Sequence, residues 1–170
     1  LHQLIEQRKV AIDAPVATYW PEFAKAGKAK ITIRHILSHQ GGLPGLSTPY
    51  TYDDYFAWHP VIRLIEEQAP LWPPGERHGY HPTLFGNLVG EVIRRVSGLM
   101  PGRYLAQHIC EPLGLDFYIG VPDSEIPRLA EVSFAAPETV TPTREFAALM
   151  ERAQVAGSIT QLAFGNPPPP

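Results

Sequence analysis

One unbroken apolar stripe at helical spacing runs through residues 82–97 and constrains the fold more than any other feature of this sequence. The stripe recurs with the period of an α-helix that buries one face. It consists of Leu84, Phe85, Leu88, Val89, Val92, Ile93 and Val96. Pro82 suits the first helical turn, Gly98 suits the C-terminal cap, and Arg94 and Arg95 suit the negative end of the helix dipole. The pattern predicts a long amphipathic helix over residues 82–97.

Other segments also favour helices, so the predicted fold is mainly α-helical with few short strands. Thr32 is a candidate N-cap for a helix in "TIRHILSHQGG" that ends at the paired glycines. A further helix follows Thr51 in "TYDDYFAWHPVIRLIEEQ", where Pro60 divides it into two pieces. The segments "PGRYLAQHICEPLGL" and "PTREFAALMERAQVAG" predict two more helices, the second being the last one expected. Strand signals are confined to "FYIGV" and "EVSFAA".

Composition and charge exclude several classes of function. The net charge is −3 at pH 7 and no run of like charges occurs, so neither a nucleic acid nor an anionic membrane is an expected partner. No membrane-spanning segment is predicted, because Asn87, Gly90 and Glu91 interrupt the longest apolar run. No signal peptide is predicted either, and together these observations favour a cytoplasmic location. Cys110, the one cysteine, is expected to be a buried and inert thiol.

Both ends of the sequence resemble interrupted elements. Leu1, Leu4 and Ile5 keep a helical spacing with no N-cap residue before them. The far end, "FGNPPPP", would suit a loop between two elements. We therefore expect an internal fragment of a longer protein.

Tyr80 and His81 stand directly before the predicted helix, in the segment "GYHP". Residues in such a connecting turn are held by a rigid element and open to a cleft, where catalytic groups commonly lie. Two simpler interpretations remain open. The Tyr80 ring would pack with a hydrogen-bonded hydroxyl, and His81 would cap the helix.

The order and spacing of several segments resemble the serine beta-lactamase-related family, which includes class C beta-lactamases, penicillin-binding proteins and carboxylesterases of the same fold. The two main segments are "ITIRHILSHQGGLP" and, some way further on, "PPGERHGYHPTLFGNLVGEVIRRVSG". The segments "LIEQRKVAIDAPVATYWPEFAKAGK" and "YLAQHICEPLGL" are similar to family regions as well. The likeness covers nearly all of residues 4–120 and extends weakly over the rest. "YHP" at the tyrosine motif is most similar to an esterase-like subgroup.

The resemblance implies an acyl-enzyme mechanism with a division of labour. In the family, a serine in Ser-x-x-Lys attacks a carbonyl carbon, and a tyrosine shuttles its proton to the leaving group. Tyr80 matches that tyrosine by position, and His81 would support it. Where beta-lactamases carry an asparagine two residues after the tyrosine, this chain has Pro82.

The nucleophile motif of the family is absent from this sequence. None of the six serines has a lysine three residues on, and Gly-x-Ser-x-Gly is absent as well. The expected Ser-x-x-Lys would lie upstream of Leu1, and the family's C-terminal strand with its Lys-Thr-Gly-like motif is missing. The expectation is a partial beta-lactamase-like domain over residues 1–170, the helical half of the α/β fold, which is inactive alone. The parent protein would hydrolyse carboxylic esters. The alternative is a non-catalytic remnant or binding module that keeps the helices.

Neither a metal nor a cofactor is predicted. His35 and His39 share the i, i+4 spacing of paired metal ligands, but no glutamate stands in the zincin position between them. The glycines of "HQGGLPG" are not followed by a helix with Lys-Ser, which argues against phosphate binding.

Aromatic side chains between the two main segments suggest how a substrate would bind. Within the resemblance, "TPYTYDDYFAW" occupies a variable wall of the cleft, so Tyr52, Tyr55 and Trp58 are candidates for an acyl pocket. The expected ligand is a small ester or amide. Because a missing half would leave an apolar face uncovered, self-association is also expected.

Overall fold

The computed structural model describes residues 1–133 and 141–168, and its regular structure is almost entirely helical. The α-helices are α1 His2–Glu6, α2 Ile33–Leu37, α3 Tyr52–Phe56, α4 His59–Glu67, α5 Phe85–Ser97, α6 Pro101–Leu105, α7 Glu111–Leu113, α8 Arg144–Ala153 and α9 Ile159–Phe164. Short 3₁₀ turns cover Val16–Thr18, Pro21–Ala24 and Asp123–Arg128, and a π-helical turn, Ala106–Cys110, joins α6 to α7. The mainly α prediction is confirmed.

Side-chain caps explain where the short helices α2 and α3 begin. The Thr32 hydroxyl accepts the His35 N–H at 3.2 Å, and His35 Nδ1 accepts the Thr32 N–H in return. Thr51 and Asp54 form the same reciprocal pair before α3. Each pair satisfies backbone donors that have no partner inside the helix. The predicted cap at Thr32 and the predicted helix start after Thr51 are therefore confirmed.

Pro60 separates α3 from α4, as the sequence predicts. It lies in the first turn of α4, where its missing N–H costs no helical hydrogen bond. Trp58, the residue before α4 begins at His59, has φ of 65°. A left-handed backbone at a bulky residue is costly and redirects the chain between the two helices.

The central helix α5 begins at Phe85, so the predicted start at Pro82 is wrong. Residues 82–84 form a turn, and Phe85 donates the first hydrogen bond of the helical type, to the His81 carbonyl oxygen at 3.1 Å. The missing N–H of Pro82 does not account for the later start, because the first four N–H groups of a helix have no partner inside it. Gly98, with φ of 76°, ends the helix in the predicted left-handed cap.

The apolar stripe of α5 divides between the core and an open face. Leu84, Leu88 and Val92 are buried in the core, and α5 packs against α2, α4 and α6. Other core side chains come mostly from the first half of the chain: Leu4, Val10, Val16, Trp20, Phe23, Ile31, Ile33, Ile36, Leu43, Leu46, Val61, Ile62 and Ile65. Burial of each large apolar side chain contributes about 1.5–3 kcal/mol, so this cluster supplies most of the driving force for folding.

A buried lysine closes the C-terminal end of α4. The Lys28 ammonium donates to the carbonyl oxygens of Lys25, Glu66 and Gln68 at 2.9, 2.8 and 2.6 Å. All three of its N–H groups are thereby used, which compensates for removing the charge from water. Burial lowers the pKa of Lys28 to about 8. The residue is structural.

The strand predictions are less successful than the helix predictions. Residues 117–121 form no strand and are exposed, because no neighbouring segment in the described ranges offers them an edge to pair with. Within those ranges, the antiparallel bridge between Pro15 and Thr32 is the one β pairing. "EVSFAA" lies partly outside the described residues, and its first part, 131–133, is not a strand.

The C-terminal part contains one helix more than predicted. The Ser158 hydroxyl accepts the Gln161 N–H at 3.0 Å and starts α9, so α8 is not the last helix. Cys110 is buried and its thiol donates to the Phe117 carbonyl oxygen, as expected of an inert thiol. No helix within residues 1–133 and 141–168 combines the length and apolarity that crossing a bilayer requires.

Candidate active site

Tyr80 is an exposed aromatic residue on a turn between buried elements. Its side chain is 55% exposed, whereas the adjacent His81 is fully buried. The Tyr80 ring centroid lies 5.0 Å from that of His39 in an edge-on arrangement and 6.3 Å from that of Phe164. The turn therefore presents one phenol to solvent among other aromatic rings.

His39 fixes the backbone on both sides of Tyr80. Its carbonyl oxygen accepts the Gly79 N–H at 3.0 Å, and its Nδ1 accepts the His81 N–H at 3.3 Å. Because Nδ1 is an acceptor, the neutral ring carries its proton on Nε2. Burial, together with the charge of His78, lowers the pKa of His39 and favours that neutral form. The family resemblance places His39 in a structural turn where it is expected to hydrogen-bond backbone, and these two contacts confirm that expectation.

His81 joins this turn to the neighbouring loop rather than capping a helix. Its Nε2 accepts the Leu43 N–H at 3.3 Å, and its Nδ1 donates to the Gly79 carbonyl oxygen in a short hydrogen bond. Burial lowers the pKa of His81 to about 4, so the ring is neutral at pH 7. Both ring nitrogens are thus engaged by backbone. A supporting role for His81 in catalysis stays a prediction, and this geometry favours positioning over proton transfer.

An apolar cavity of about 600 Å³ lies beside α5, and two of the three predicted pocket residues line it. Tyr55 and Trp58 form one wall, and the open face of α5 forms another. Tyr52 is not among the lining residues; its ring stacks on Phe56 at 6.2 Å. The α5 face and the opposite wall include Phe85, Gly86, Val89, Gly90, Ile93, Met100, Pro101 and Ile119.

A buried carboxylate holds Trp58 in the cavity wall. The indole Nε1 donates to Glu91 Oε2 at 2.9 Å, and Glu91 also pairs with Arg94 and Arg95 at 2.7 Å each. Although burial alone would raise the pKa of Glu91, the hydrogen bonds from Arg94, Trp58 and Arg95 bring it down to about 2. Arg94 and Arg95 therefore pair with a specific anion in addition to facing the helix dipole.

The contact between Glu91 and Trp58 is not among the predictions from the sequence. A signal for it exists, because a lone glutamate within an apolar stripe precedes two arginines at i+3 and i+4, the spacing of helical ion pairs. Its tryptophan partner is far away in sequence, so that contact depends on tertiary packing.

The cavity and the exposed tyrosine are connected through two rings. Phe85 lines the cavity, and its ring centroid lies 4.9 Å from that of His39, which in turn contacts Tyr80. The Tyr55 hydroxyl donates to the Thr83 carbonyl oxygen at 3.1 Å, which ties α3 to the turn before α5. An exposed phenol and an apolar compartment are thus neighbours in one continuous region.

Two histidines that were candidates for metal binding instead accept hydrogen bonds from backbone N–H groups. His35 Nδ1 is occupied in the cap of α2, and His39 Nδ1 in the Tyr80 turn. In the part of the chain that the structure describes, no three side chains of the histidine, cysteine, aspartate or glutamate type are grouped to hold a metal ion.

Comparison with known proteins gives a family match over most of the chain. A family model described as Beta-lactamase matches residues 1–163. The esterase/beta-lactamase LipL of Mycobacterium tuberculosis is 34% identical over 137 residues, which cover 78% of this chain and 31% of LipL.

Two solved structures share the backbone arrangement. A penicillin-binding protein homologue from Caulobacter crescentus is 44% identical with a TM-score of 0.74, over 77% of this chain and 35% of that protein. A family VIII carboxylesterase is 34% identical with a TM-score of 0.78, over 98% of this chain and 41% of that protein. The chain therefore spans between 31% and 41% of the length of these three relatives.

Proposed function

The chain belongs to the beta-lactamase family of serine hydrolases, and from that premise we propose that it is the helical half of an esterase-like member. In this proposal, the complete protein hydrolyses carboxylic esters through an acyl-enzyme, and Tyr80 moves the proton between the nucleophile and the leaving group. The observation that carries the proposal is the exposure of Tyr80 on a turn whose flanking N–H groups both bind His39. A general acid must be held still and reach substrate, and this arrangement supports both requirements.

The nucleophile must come from outside this sequence. Its serines are not followed by lysine at the third position, so we propose that Ser-x-x-Lys stands on a segment beyond Leu1. A free tyrosine has a pKa of about 10 and is a weak base at pH 7. A lysine ammonium beside Tyr80 would lower that pKa and make the phenolate accessible.

The apolar cavity suits the acyl group of the substrate. Its walls are mostly hydrocarbon and aromatic, and it reaches the Tyr80 turn through Phe85 and His39. An apolar compartment next to a few fixed polar groups is the usual form of a small-molecule site. Tyr55 and Trp58 would contact the acyl chain there. Tyr52 does not line the cavity and is not assigned a contact with the acyl chain.

A non-catalytic binding module is the second candidate function. The absence of a serine nucleophile from this sequence favours it. Such a module would keep the helices and the cavity and bind an apolar ligand without turning it over. The reading frame before Leu1 distinguishes the two, because only the enzyme requires an upstream Ser-x-x-Lys.

The decisive experiment compares this chain with the complete protein. We expect the 170-residue chain to show no turnover of p-nitrophenyl acetate above a denatured control, because loss of a covalent nucleophile removes most of the rate enhancement. The complete protein should turn the ester over and be labelled by a fluorophosphonate at a serine outside residues 1–170. A burst of product from the isolated chain, or labelling of one of its own serines, would contradict the proposal.

A further inference from the structure

The C-terminal segment is docked onto the loop that follows α2 by one buried asparagine. Asn166 Nδ2 donates to the carbonyl oxygens of Leu46 and Thr48 at 2.8 and 3.0 Å, and its Oδ1 accepts the Tyr50 N–H at 3.4 Å. Its own carbonyl oxygen accepts the Tyr50 hydroxyl at 3.0 Å. A buried amide whose side-chain donors and acceptor are all paired specifies one arrangement, because any other would leave buried polar groups without partners.

A glycine in the loop makes this docking sterically possible. A Cβ atom on Gly45 would lie 1.9 Å from the Leu162 carbonyl oxygen, far inside van der Waals contact. Leu162 and Ala163 are both buried. The loop and α9 therefore fit each other at backbone distance, through residues more than a hundred positions apart in the sequence.

The docking leaves one apolar ring beside Tyr80. Phe164, the last residue of α9, is 48% exposed, and its ring centroid lies 6.3 Å from that of Tyr80. Its neighbours Leu162, Ala163 and Asn166 are buried, so the docking does not depend on the Phe164 ring. That ring is available to a ligand at the tyrosine.

We propose that Phe164 is a specificity-determining residue that receives the alcohol part of the ester. This inference rests on the proposed function. In acylation, the bond between the serine Oγ and the acyl carbon forms, and the bond from that carbon to the alcohol oxygen breaks. The serine proton passes through the Tyr80 hydroxyl to the departing oxygen. The group attached to that oxygen must then lie beside Tyr80, where Phe164 offers an aromatic face.

The chemistry of this subsite favours aryl esters and esters of bulky apolar alcohols. Two aromatic rings at this separation accept a third ring in offset or edge-on contact, which adds to the stabilisation from burial alone. The acyl selectivity of the apolar cavity is a separate property, because Phe164 does not line that cavity. The acyl part and the alcohol part of the ester would thus contact different elements of the fold.

The kinetic test compares phenyl acetate with ethyl acetate, which share one acyl group. In the complete protein, Phe164→Ala should lower the ratio of kcat/KM for phenyl over ethyl acetate by about three- to tenfold, mainly through KM. Phe164→Leu keeps an apolar side chain but no aromatic face, so it should lose part of the ratio as well. Asn166→Ala should also lower this ratio, because it disturbs the docking of α9 while leaving Phe164 itself intact. The matched control is Phe146→Ala, which removes a ring that is 54% exposed on α8, and it should leave the ratio unchanged.

A binding measurement separates this inference from the proposed function. Fluorine NMR of 4-fluorophenol titrated with the complete protein should show millimolar binding that Phe164→Ala weakens at least threefold. Phe164-dependent binding without ester turnover in any variant would support the aryl subsite and contradict the esterase proposal. Ester turnover with an unchanged phenyl-to-ethyl ratio in Phe164→Ala, or no binding of 4-fluorophenol, would overturn the subsite.

Discussion

His39 holds Tyr80 by its backbone neighbours as well as by its ring. The residue before Tyr80 donates to the His39 carbonyl oxygen and the residue after it donates to His39 Nδ1, while the two rings meet edge-on at 5.0 Å. His39 itself has φ of 57°, an uncommon conformation for a residue other than glycine. A strained residue that fixes an exposed phenol is consistent with a pre-organised proton-transfer group.

The first prediction is that removing the Tyr80 hydroxyl abolishes most of the ester turnover. Tyr80→Phe in the complete protein should lower kcat for p-nitrophenyl acetate by about a hundredfold or more, as expected when a general acid/base is lost. The phenylalanine ring keeps the contact with His39, so thermal stability should change little. Tyr118→Phe, which also removes a hydroxyl from an exposed ring, is the matched control. Equal activity in Tyr80→Phe and the parent would exclude the assigned role.

The second prediction concerns acid stability and depends on His81. The ordinary pKa of a histidine is about 6.5 in an unfolded chain, whereas burial lowers the pKa of His81 to about 4. Between these values the unfolded state binds more protons, so the free energy of unfolding rises with pH. The contribution is fully present above about pH 6.5 and is lost as pH falls to 4, to a total of about 3 kcal/mol. Urea denaturation at micromolar concentration across this range measures it.

A variant that cannot titrate at position 81 separates the contribution of His81 to acid stability from that of the carboxyl groups. His81→Gln keeps a hydrogen-bonding group near the position of Nε2 and should lower stability at pH 7, yet it should flatten the dependence between pH 6.5 and 4. The depressed pKa of His39 acts in the same direction and remains in the variant. Parallel curves for the parent and His81→Gln would show that His81 is not the titrating group.

The third prediction is that two glycines of α5 respond to alanine with opposite sign. A Cβ on Gly86 would meet nothing within 4 Å, whereas a Cβ on Gly90 would lie 2.6 Å from Trp58 Cη2 and 2.8 Å from Pro101 Cγ. Gly86→Ala should stabilise by about 0.5–1 kcal/mol through helix propensity. Gly90→Ala should destabilise by about 1–3 kcal/mol through overpacking against a tryptophan that Glu91 holds in place. Thermal melts of the two variants form a matched pair, and a shift of the same sign in both would contradict the cavity geometry.

The fourth prediction is that the isolated chain self-associates. Many large apolar side chains are exposed between α7 and residue 132: Leu113, Leu115, Phe117, Ile119, Ile126, Leu129 and Val132. So many exposed apolar side chains along one segment favour association, because a monomer usually keeps large apolar surfaces out of water. Light scattering after size exclusion should therefore report dimers or larger species, and Leu115→Lys with Leu129→Lys should shift the chain toward monomer. A strictly monomeric chain with a sharp cooperative melt would instead indicate an autonomous domain.

Local chemistry decides which features could be read from the sequence. The caps at Thr32 and Thr51, the break at Pro60 and the glycine cap of α5 depend on neighbouring residues, and the structure confirms them. "FYIGV" has strand-forming side chains but meets no partner strand among the described residues, and strands require partners. The contacts of His39, Glu91 and Asn166 join distant segments, so no periodicity could reveal them.

The same distinction holds within the candidate site. Tyr80 could be singled out because it precedes an apolar helix, and Tyr55 and Trp58 because aromatic residues cluster between two motifs. Phe164 could not, because its position beside Tyr80 depends on the docking of α9 through Asn166. Tyr52 lies one helical turn before Tyr55 and shares its local pattern, yet it is not among the residues that line the cavity, because the extent of the cavity depends on tertiary packing.

The last prediction concerns the choice between esters and beta-lactams, and it depends on Pro82. The family resemblance implies that beta-lactamases carry an asparagine at this position, whose amide would hydrogen-bond the acylamino group of the substrate. Proline offers no side-chain donor and no N–H. A beta-lactam amide left unpaired would cost about 1–3 kcal/mol, whereas a simple ester has no such group to lose. The complete protein should therefore cleave short-chain p-nitrophenyl esters well and a cephalosporin poorly.

Replacing this proline tests that explanation directly. Pro82→Asn should raise kcat/KM for a cephalosporin by about tenfold relative to the ester, because one contact of about 1.4 kcal/mol corresponds to that factor. Pro82 lies in the turn before α5 and not inside the helix, so asparagine should be accommodated there. Pro142→Asn, at an exposed proline away from the helix, controls for general effects of the substitution. A parent enzyme that already prefers the cephalosporin, or a Pro82→Asn variant with the parent's ratio, would show that selectivity does not depend on Pro82.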